Sequence, residues 1–337
     1  MLLREIVGKV PPRRTLSVDD EIRVTDVDTV DPACAVGIEL EVENCYEFPT
    51  VPQHAWGTHT DNSLREHGVE FVSVPLYGIQ VYGALELLCN RMLPPHVKFS
   101  QRTSVHVHID VGGLTGEQLA QVVLVYLVFE RSLYRYVGGG RDHNIFCIPL
   151  MDTASARNLV TAMKDPDQLI NSDLASEESR YAGLNLAAIR KFGTLEFRHM
   201  YGTKNPDSIH EWINILLSIR RFALRHDSLK VLLERVLALN TNSEYNMFAL
   251  DVFGTGLNGA LSGFELAEEM YEGVAIVKYG ICNGVYHRQV IASPSWESPA
   301  GQWLSENNWQ RQGSSILRSR GFPPPVQAPD MILRRDA

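Results

Sequence analysis

The sequence is poor in cysteine, and its few cysteines are not paired. Five of them are scattered over 337 residues, and no two have the Cys-x-x-Cys spacing. Disulfide frameworks and zinc ribbons need an even set of closely spaced cysteines, so both are excluded. The pattern is typical of reduced thiols, and it predicts a cytoplasmic protein.

Positive charge and long apolar runs are also scarce. The formal net charge is −9, so no general positive field would attract the phosphates of nucleic acid. The longest apolar run, within residues 119–129, is too short to span a bilayer. The opening stretch MLLREIVGKVPPRR lacks the apolar core of a signal peptide. General nucleic-acid binding and membrane insertion are therefore not expected.

The common motifs for nucleotide binding and for nucleophilic catalysis are missing as well. No Gly-x-x-x-x-Gly-Lys-Ser/Thr loop occurs, which excludes a Walker-type site, and no Gly-x-Gly-x-x-Gly opens a helix after a strand. The Gly-x-Ser-x-Gly elbow of α/β-hydrolases is absent too. Any catalytic chemistry must depend on other side chains.

The sequence does contain segments that alternate between apolar and polar residues. Within residues 35–44, Glu39, Glu41 and Glu43 alternate with apolar side chains. This alternation is typical of a strand with a core-facing back and an acidic front. Residues 103–111 alternate in the same way, and further strands are predicted at 68–75, 181–186 and 194–200.

Helical patterns separate these strands. A capping box at Thr115–Gln118 predicts a helix to about residue 136, and a second box at Ser208–Glu211 predicts one to about residue 225. Residues 228–280 are expected to be mostly helix and loop. Because strands and helices do not alternate strictly, the pattern favours an α+β fold, with helices against one face of an antiparallel sheet, over a doubly wound parallel sheet.

The polar faces of three strands carry side chains that could support chemistry. Carboxylates on one strand face repel one another unless they are solvated or hold cations. His106 and His108 share a face, and imidazole is a common metal ligand. Their spacing partly matches the dizinc motif of metallo-β-lactamase-like hydrolases, but Val111 stands where the last histidine belongs. Glu196 and Arg198 fit either an ion pair or a metal ligand beside an anion-binding group.

Six motifs in a fixed order carry a resemblance to a known family. They are Gly37-Ile38-Glu39-Leu40-Glu41, Asp61-x-Ser63-Leu64, Gly68-Val69-Glu70-Phe71-Val72-Ser73, Ser104-Val105-His106-Val107-His108-Ile109-Asp110, Arg180-Tyr181-x-x-Leu184-Asn185-Leu186 and Gly193-Thr194-Leu195-Glu196-Phe197-Arg198, followed by Gly202-Thr203. Across residues 35–220 the chain resembles the amidoligase family, the carboxylate–amine ligases related to glutamine synthetase and γ-glutamylcysteine synthetase.

The resemblance implies a fold and a set of site residues. The fold would be a glutamine-synthetase-like curved antiparallel sheet, with helices on the convex face and with ATP and two or more Mg²⁺ or Mn²⁺ ions on the concave polar face. The implied metal ligands are Glu39, Glu41, Glu70, His106 and Glu196. His108 would lie nearer the nucleotide phosphates. Arg180 and Arg198 would hold the substrate carboxylate or the transferring phosphate, and Asp61 would act as a base or bind the ammonium group.

The implied activity is ATP-dependent formation of an amide or peptide-like bond through an acyl phosphate. The partners would be small-molecule or peptide carboxylates and amines. A homo-oligomer and a phage origin are further hypotheses, because relatives of this kind often assemble and often occur in phage gene clusters. Two alternatives stay open, namely a metal-dependent hydrolase or phosphotransferase on the same sheet, and an inactive structural or binding copy of the fold.

The expected organisation has four parts. An N-terminal arm at residues 1–30 precedes a catalytic domain at 31–228. A mostly helical part at 229–313 completes that domain, and a proline-containing tail follows at 314–337.

Overall fold

An antiparallel sheet of six strands positions most of the candidate site residues. The computed structural model describes residues 2–3, 34–47, 49, 55–61, 63–138, 140–150, 180–254 and 263–282. The strands in these ranges are β1 (Val36–Val42), β2 (Trp56–His59), β3 (Val69–Ser73), β4 (Ser104–Asp110), β5 (Leu184–Asn185) and β6 (Thr194–Tyr201). Their order across the sheet is β2-β3-β1-β4-β6-β5. The α+β class with an antiparallel sheet is confirmed.

Seven α-helices accompany the sheet in the described ranges. They are α1 (Gln80–Glu86), α2 (Gly116–Val137), α3 (Ala188–Phe192), α4 (Pro206–Leu224), α5 (Leu229–Leu237), α6 (Asn242–Phe253) and α7 (Gly263–Cys282). A π-helix over Leu87–Met92 follows α1 directly. None of these helices combines the length and the apolar character that a bilayer span requires.

The apolar side of the sheet packs against helices. Ile38, Val107 and Phe197 come from the three central strands, and all three side chains are buried. Helix α2 contacts β6, and α4 contacts β4. Burial of each such side chain contributes roughly 1.5–3 kcal/mol. Because successive side chains of a strand point to opposite faces, the polar residues between them lie on the other side of the sheet.

The starts of two helices test the predicted capping boxes. Thr115 Oγ1 accepts a hydrogen bond from the Gln118 amide, and Gln118 Oε1 accepts one from the Thr115 amide, so the first box is confirmed. The second box, at Ser208–Glu211, was wrong, because α4 begins at Pro206 and the Asn205 side chain caps it. An asparagine cap followed by proline, whose φ already suits the first helical turn, starts the helix three residues earlier.

Other predicted elements differ in extent. The strand predicted at 181–186 is only Leu184–Asn185, and the short helix α3 connects it to β6, ending at Gly193, whose φ is +72°. Strand β2 and helix α1 were not predicted. The described residues between 229 and 282, a region predicted to be mostly helix and loop, include three helices. Of the N-terminal arm only residues 2–3 are described, and the tail at 314–337 lies outside the described residues.

Strand β6 contains a bulge beside the polar face. The register between β4 and β6 shifts by one residue between Val105 and Val107, which leaves Arg198 and His199 on β6 opposite a single residue of β4. A bulge disrupts the ladder of hydrogen bonds and redirects side chains. The buried Arg141 side chain donates hydrogen bonds to the carbonyl oxygens of Arg198, at 2.9 Å, and of His199, at 2.8 Å. These bonds satisfy the backbone where the ladder is irregular.

Gly183 lies where two buried side chains approach the backbone. A Cβ atom there would come within 2.2 Å of Tyr134 Oη and 3.0 Å of His199 Nε2. We expect Gly183→Ala to lower the free energy of unfolding in urea by about 1–3 kcal/mol, because the core must shift to make room. Gly113→Ala is the matched control, since no described atom lies within 4 Å of its added Cβ. Equal destabilisation of the two variants would contradict this packing account.

Candidate metal centre

Polar side chains from neighbouring strands form a row across the face of the sheet opposite the core. The row contains Asp61 after β2, Glu70 on β3, Glu39 and Glu41 on β1, His106 and His108 on β4, and Glu196 and Arg198 on β6. Three directly opposed pairs build it, namely Glu41 with Glu70, Glu39 with His106, and His108 with Glu196. The strand order therefore brings together residues that are far apart in the sequence.

Glu39 lies at the centre of this row. Its Oε2 atom is 2.9 Å from His106 Nδ1, and its Oε1 atom is 3.1 Å from His108 Nε2. Burial alone would raise the pKa of Glu39, but the hydrogen bonds and charges of the two histidines outweigh it and hold that pKa well below its usual value. Conversely, burial lowers the pKa of His108, and the Glu39 carboxylate outweighs burial and raises it. Glu39 is thus held ionised.

A second part of the row joins Glu41 to His106 through a serine. Glu41 Oε2 accepts hydrogen bonds from the Ser104 amide at 2.8 Å and from Ser104 Oγ at 2.7 Å. Ser104 Oγ also lies 2.9 Å from His106 Nε2. All three side chains are buried. Ser104 was not predicted as a site residue, although the alternation of β4 puts it on the same face as the two histidines.

Glu196 and Arg198 form the far end of the row. Arg198 Nη1 donates a hydrogen bond to Glu196 Oε1 at 2.5 Å, and Asn185 Nδ2 donates one to Glu196 Oε2 at 2.6 Å. Burial would raise the pKa of Glu196, but the Arg198 charge and the histidines outweigh it and lower that pKa. Arg198 Nε donates to the Phe146 carbonyl at 3.2 Å. The ion pair that the sequence allowed is therefore present, with Asn185 as a partner that was not predicted.

Among the described residues, three overlapping groups of side chains could each hold a metal ion. In each group the ligand atoms lie within 4.8 Å of one another. The groups are Glu39–Glu70–His106, Glu39–His108–Glu196 and Glu41–Asp61–Glu70. Carboxylate oxygens are the ligands that Mg²⁺ prefers, and imidazole joins them around Mn²⁺ and related ions. The family resemblance implied that His108 lies near the nucleotide phosphates. Because it belongs to the second group, His108 is also a candidate metal ligand.

Glu70 shows that the row has more negative charge than its own residues can balance. Burial, together with the carboxylates of Glu39, Glu41 and Asp61, raises the pKa of Glu70 to about 8. Glu41 and Glu70 also lie directly opposite each other, and like charges in that position are unfavourable. A divalent cation would balance this charge, so the donor set fits such an ion.

Arg180 lies apart from the buried row. Its side chain is exposed, with the guanidinium 4.6 Å above the Tyr181 ring. Tyr181 packs against Phe146, with ring centroids 6.1 Å apart, and the Phe146 carbonyl accepts the hydrogen bond from Arg198. The predicted role of Arg180 in holding an anion stays a prediction.

A buried network lies behind the site, on the helix side of β6. Tyr126 Oη donates to Glu130 at 2.7 Å, so its oxygen accepts a hydrogen bond from His199 Nε2 at 2.9 Å. His199 Nδ1 is buried and has no hydrogen-bond partner in the described ranges. Burial and the nearby Arg141 charge lower the pKa of His199 to about 3. His199 is therefore neutral in the folded protein.

This neutral histidine predicts a loss of stability in acid. The unfolded chain binds a proton at His199 near the ordinary histidine pKa, whereas the folded protein does not until about pH 3. Above that ordinary pKa, His199 is neutral in both states and does not reduce the free energy of unfolding. As the pH falls below it, the unfolded chain binds a proton that the folded protein does not, so the free energy of unfolding decreases. We expect wild-type protein to lose about 2 kcal/mol more stability than His199→Gln between about pH 7 and about pH 5. Urea unfolding at both pH values measures this difference.

His143→Gln is the control for that experiment, because the His143 side chain is 78% exposed. It should keep the wild-type dependence of stability on pH. If His199→Gln also keeps the wild-type dependence of stability on pH, His199 is not held neutral in the folded protein.

The fold and this row of side chains define a class of protein, an α+β protein with clusters of carboxylate and imidazole groups that could bind metal on the polar face of an antiparallel sheet. A family model whose description reads "Putative amidoligase enzyme" matches residues 27–220, more than half of the chain. The chain belongs to this amidoligase family, which confirms the resemblance carried by the six motifs, and membership indicates a ligase. None of the curated proteins matches the sequence.

Proposed function

We propose that the protein is an ATP- and Mg²⁺-dependent carboxylate–amine ligase that forms an amide or peptide-like bond. The observation that supports this most is the convergence of five carboxylates, two histidines and Arg198 in one row beside the sheet of an amidoligase-family chain. Amide formation from a carboxylate and an amine in water is unfavourable, so such a ligase needs an activating co-substrate. ATP supplies that activation in our proposal.

The proposed metal ions are Mg²⁺ or Mn²⁺. Their ligands would be Glu39, Glu41, Glu70, His106 and Glu196, with Asp61 and His108 beside them. Bound ions would orient the phosphate groups and neutralise charge on the phosphoryl oxygens. Consistent with this, burial and, after it, the surrounding carboxylates raise the pKa of Glu70 to about 8, and a bound cation would offset both effects.

Arg198 is the proposed anion-binding residue. Its Nη1 and Nε atoms donate to Glu196 and to the Phe146 carbonyl, and its Nη2 atom makes no hydrogen bond among the described residues. The two fixed nitrogens hold the guanidinium plane, and Nη2 is left to donate to a substrate carboxylate or a phosphoryl oxygen. Arg180, at the exposed edge, is a second candidate for the same task.

The proposed reaction has two steps. A carboxylate oxygen of the substrate attacks the γ-phosphorus of ATP, which gives an acyl phosphate and ADP. The amine then attacks the acyl carbon, phosphate leaves, and the amide remains. Asp61, at the β2 end of the row, is the proposed acceptor of the amine proton. The proposal includes a glutamine-synthetase-like curvature of the sheet, with the site on its concave face, and small-molecule or peptide substrates.

Calorimetric titration of ATP tests the first requirement of this function. We expect binding in the presence of Mg²⁺, no binding with a chelator, and loss of binding in Glu196→Ala. ADP and phosphate should then be released together only when a carboxylate and an amine are both supplied. ADP without free phosphate would indicate a phosphotransferase, and a reaction that needs no nucleotide would indicate a hydrolase. A folded wild-type protein that fails to bind ATP with either Mg²⁺ or Mn²⁺ would overturn the proposal.

A further inference from the structure

Ser104 joins two of the candidate metal ligands, and its single hydroxyl proton limits how it can do so. Its Oγ atom lies 2.7 Å from Glu41 Oε2 and 2.9 Å from His106 Nε2. Ser104 is 2% exposed, His106 is 2% exposed and Glu41 is 3% exposed, so water does not compete for these contacts. Each of the two hydrogen bonds therefore needs a donor from within this trio.

The donors follow from counting hydrogens. An ionised carboxylate only accepts, and Glu41 Oε2 already accepts the Ser104 amide at 2.8 Å. The Ser104 hydroxyl proton must therefore point to Glu41. Only lone pairs of Oγ are then left to face His106, so Nε2 of His106 has to carry a hydrogen and donate it to Ser104.

The other ring nitrogen of His106 faces negative groups. His106 Nδ1 lies 2.9 Å from Glu39 Oε2 and 3.6 Å from Glu196 Oε1. With the proton fixed on Nε2, the Nδ1 lone pair of the neutral ring points at these two carboxylates. His106 Nδ1, Glu39 Oε2 and Glu196 Oε1 then all direct lone pairs toward one another. This arrangement requires a positive group between them, either a proton or a metal ion.

We propose that Ser104 is a positioning residue that holds His106 as the Nε2–H tautomer and thereby presents Nδ1 to the Glu39 side, where His106, Glu39 and Glu70 form one of the candidate metal-binding groups. Ser104 itself does not bind the ion. Outer partners of this kind fix the orientation of a ligating imidazole, and their loss typically weakens metal binding by about 10–100-fold. The inference about the ion rests on the proposed function, whereas the tautomer is a property of the protein alone.

Nitrogen-15 NMR of histidine-labelled protein tests the tautomer directly. Two-bond proton–nitrogen spectra distinguish a protonated from an unprotonated ring nitrogen, and the His106 signals are assigned by their absence in His106→Asn. We expect Nε2 of His106 to carry a proton both in metal-free protein and with saturating Mg²⁺. In Ser104→Ala the proton should redistribute between the two nitrogens, and Mg²⁺ affinity should fall by about 10–100-fold.

Two further variants separate positioning from general loss of structure. Ser104→Thr keeps a hydroxyl and should restore both the Nε2–H pattern and the affinity. Ser73→Ala removes a hydroxyl from β3 that accepts the Ile38 amide at 2.9 Å, and it should leave His106 unchanged. An unprotonated Nε2 in wild-type protein, or an unchanged His106 pattern in Ser104→Ala, overturns the inference. Wild-type protein that shows the Nε2–H pattern yet binds neither Mg²⁺ nor ATP would instead overturn the proposed ligase and its metal site, and leave only the tautomer set by Ser104.

Discussion

Replacing Glu39 by glutamine should weaken Mg²⁺-dependent ATP binding by about 10²–10³-fold. Glu39 contributes to two of the three groups that could hold an ion, those with Glu70 and His106 and with His108 and Glu196. Glutamine keeps the size of the side chain and removes its negative charge. Because Glu39 is held ionised by its two histidines, it is ready to bind a cation without first losing a proton.

Electron paramagnetic resonance of bound Mn²⁺ measures the same effect ion by ion. The third group, Glu41–Asp61–Glu70, does not contain Glu39, so Glu39→Gln should lower the number of bound ions without abolishing binding. Glu43→Gln is the matched control. Glu43 ends the same acidic face, is buried and accepts the Arg65 amide at 2.9 Å, but it belongs to none of the three groups. Equal ion counts in both variants would contradict the assignment of Glu39 to the centre of the site.

Much of the site could be predicted because its residues lie in segments where polar and apolar side chains alternate strictly. Glu39 and Glu41 alternate with buried apolar residues in β1, and His106 and His108 do so in β4. Alternation fixes which side chains share a face, whatever the partner strand is. It also predicted the antiparallel class, because one face is apolar and the other is polar.

The order of the strands could not be read from the sequence. Alternation does not say that β1 lies between β3 and β4, yet that order alone brings Glu70 and His106 to opposite sides of Glu39. The bulge at Arg198 and His199 is also hidden, since it depends on the register with β4. The two carbonyl contacts of Arg141 are made where that bulge lies, so they could not be predicted from the sequence either.

One missed element did leave a signal in the sequence. Val81, Ala84, Leu85 and Leu88 have the spacing of a buried helix face, and they lie in α1 and the π-helix that follows it. Strand β2 has only four residues and ends at the exposed His59, so its pattern is too short to distinguish it from a loop. The predicted start of α4 was too late. Asn205 followed by Pro206 is a stronger signal for the start of a helix than Ser208.

Replacing Glu70 by glutamine should have opposite effects on stability and on metal binding. The folded protein raises the pKa of Glu70 to about 8, whereas the unfolded chain ionises near the ordinary glutamate value. The free energy of unfolding is therefore not reduced by Glu70 below that ordinary pKa. It decreases as the pH rises toward about 8, because the unfolded state has already lost the proton that the folded state retains. Glutamine has no proton to lose, so without divalent ions Glu70→Gln should be more stable than wild type at about pH 7, by about 2 kcal/mol after allowance for solvent screening.

Saturating Mg²⁺ should reverse this ranking. The ion replaces the proton of Glu70 and stabilises wild-type protein by mass action, whereas the variant has lost a ligand from two of the three groups. Thermal unfolding with and without Mg²⁺ at about pH 7 measures both effects. Glu66→Gln is the control, because the Glu66 side chain is 60% exposed and should give small, Mg²⁺-independent changes. If Glu70→Gln is destabilising without ions, burial and the neighbouring carboxylates do not raise the pKa of Glu70 in the folded protein. If the variant is stabilised by Mg²⁺ as much as wild type, Glu70 does not bind the ion.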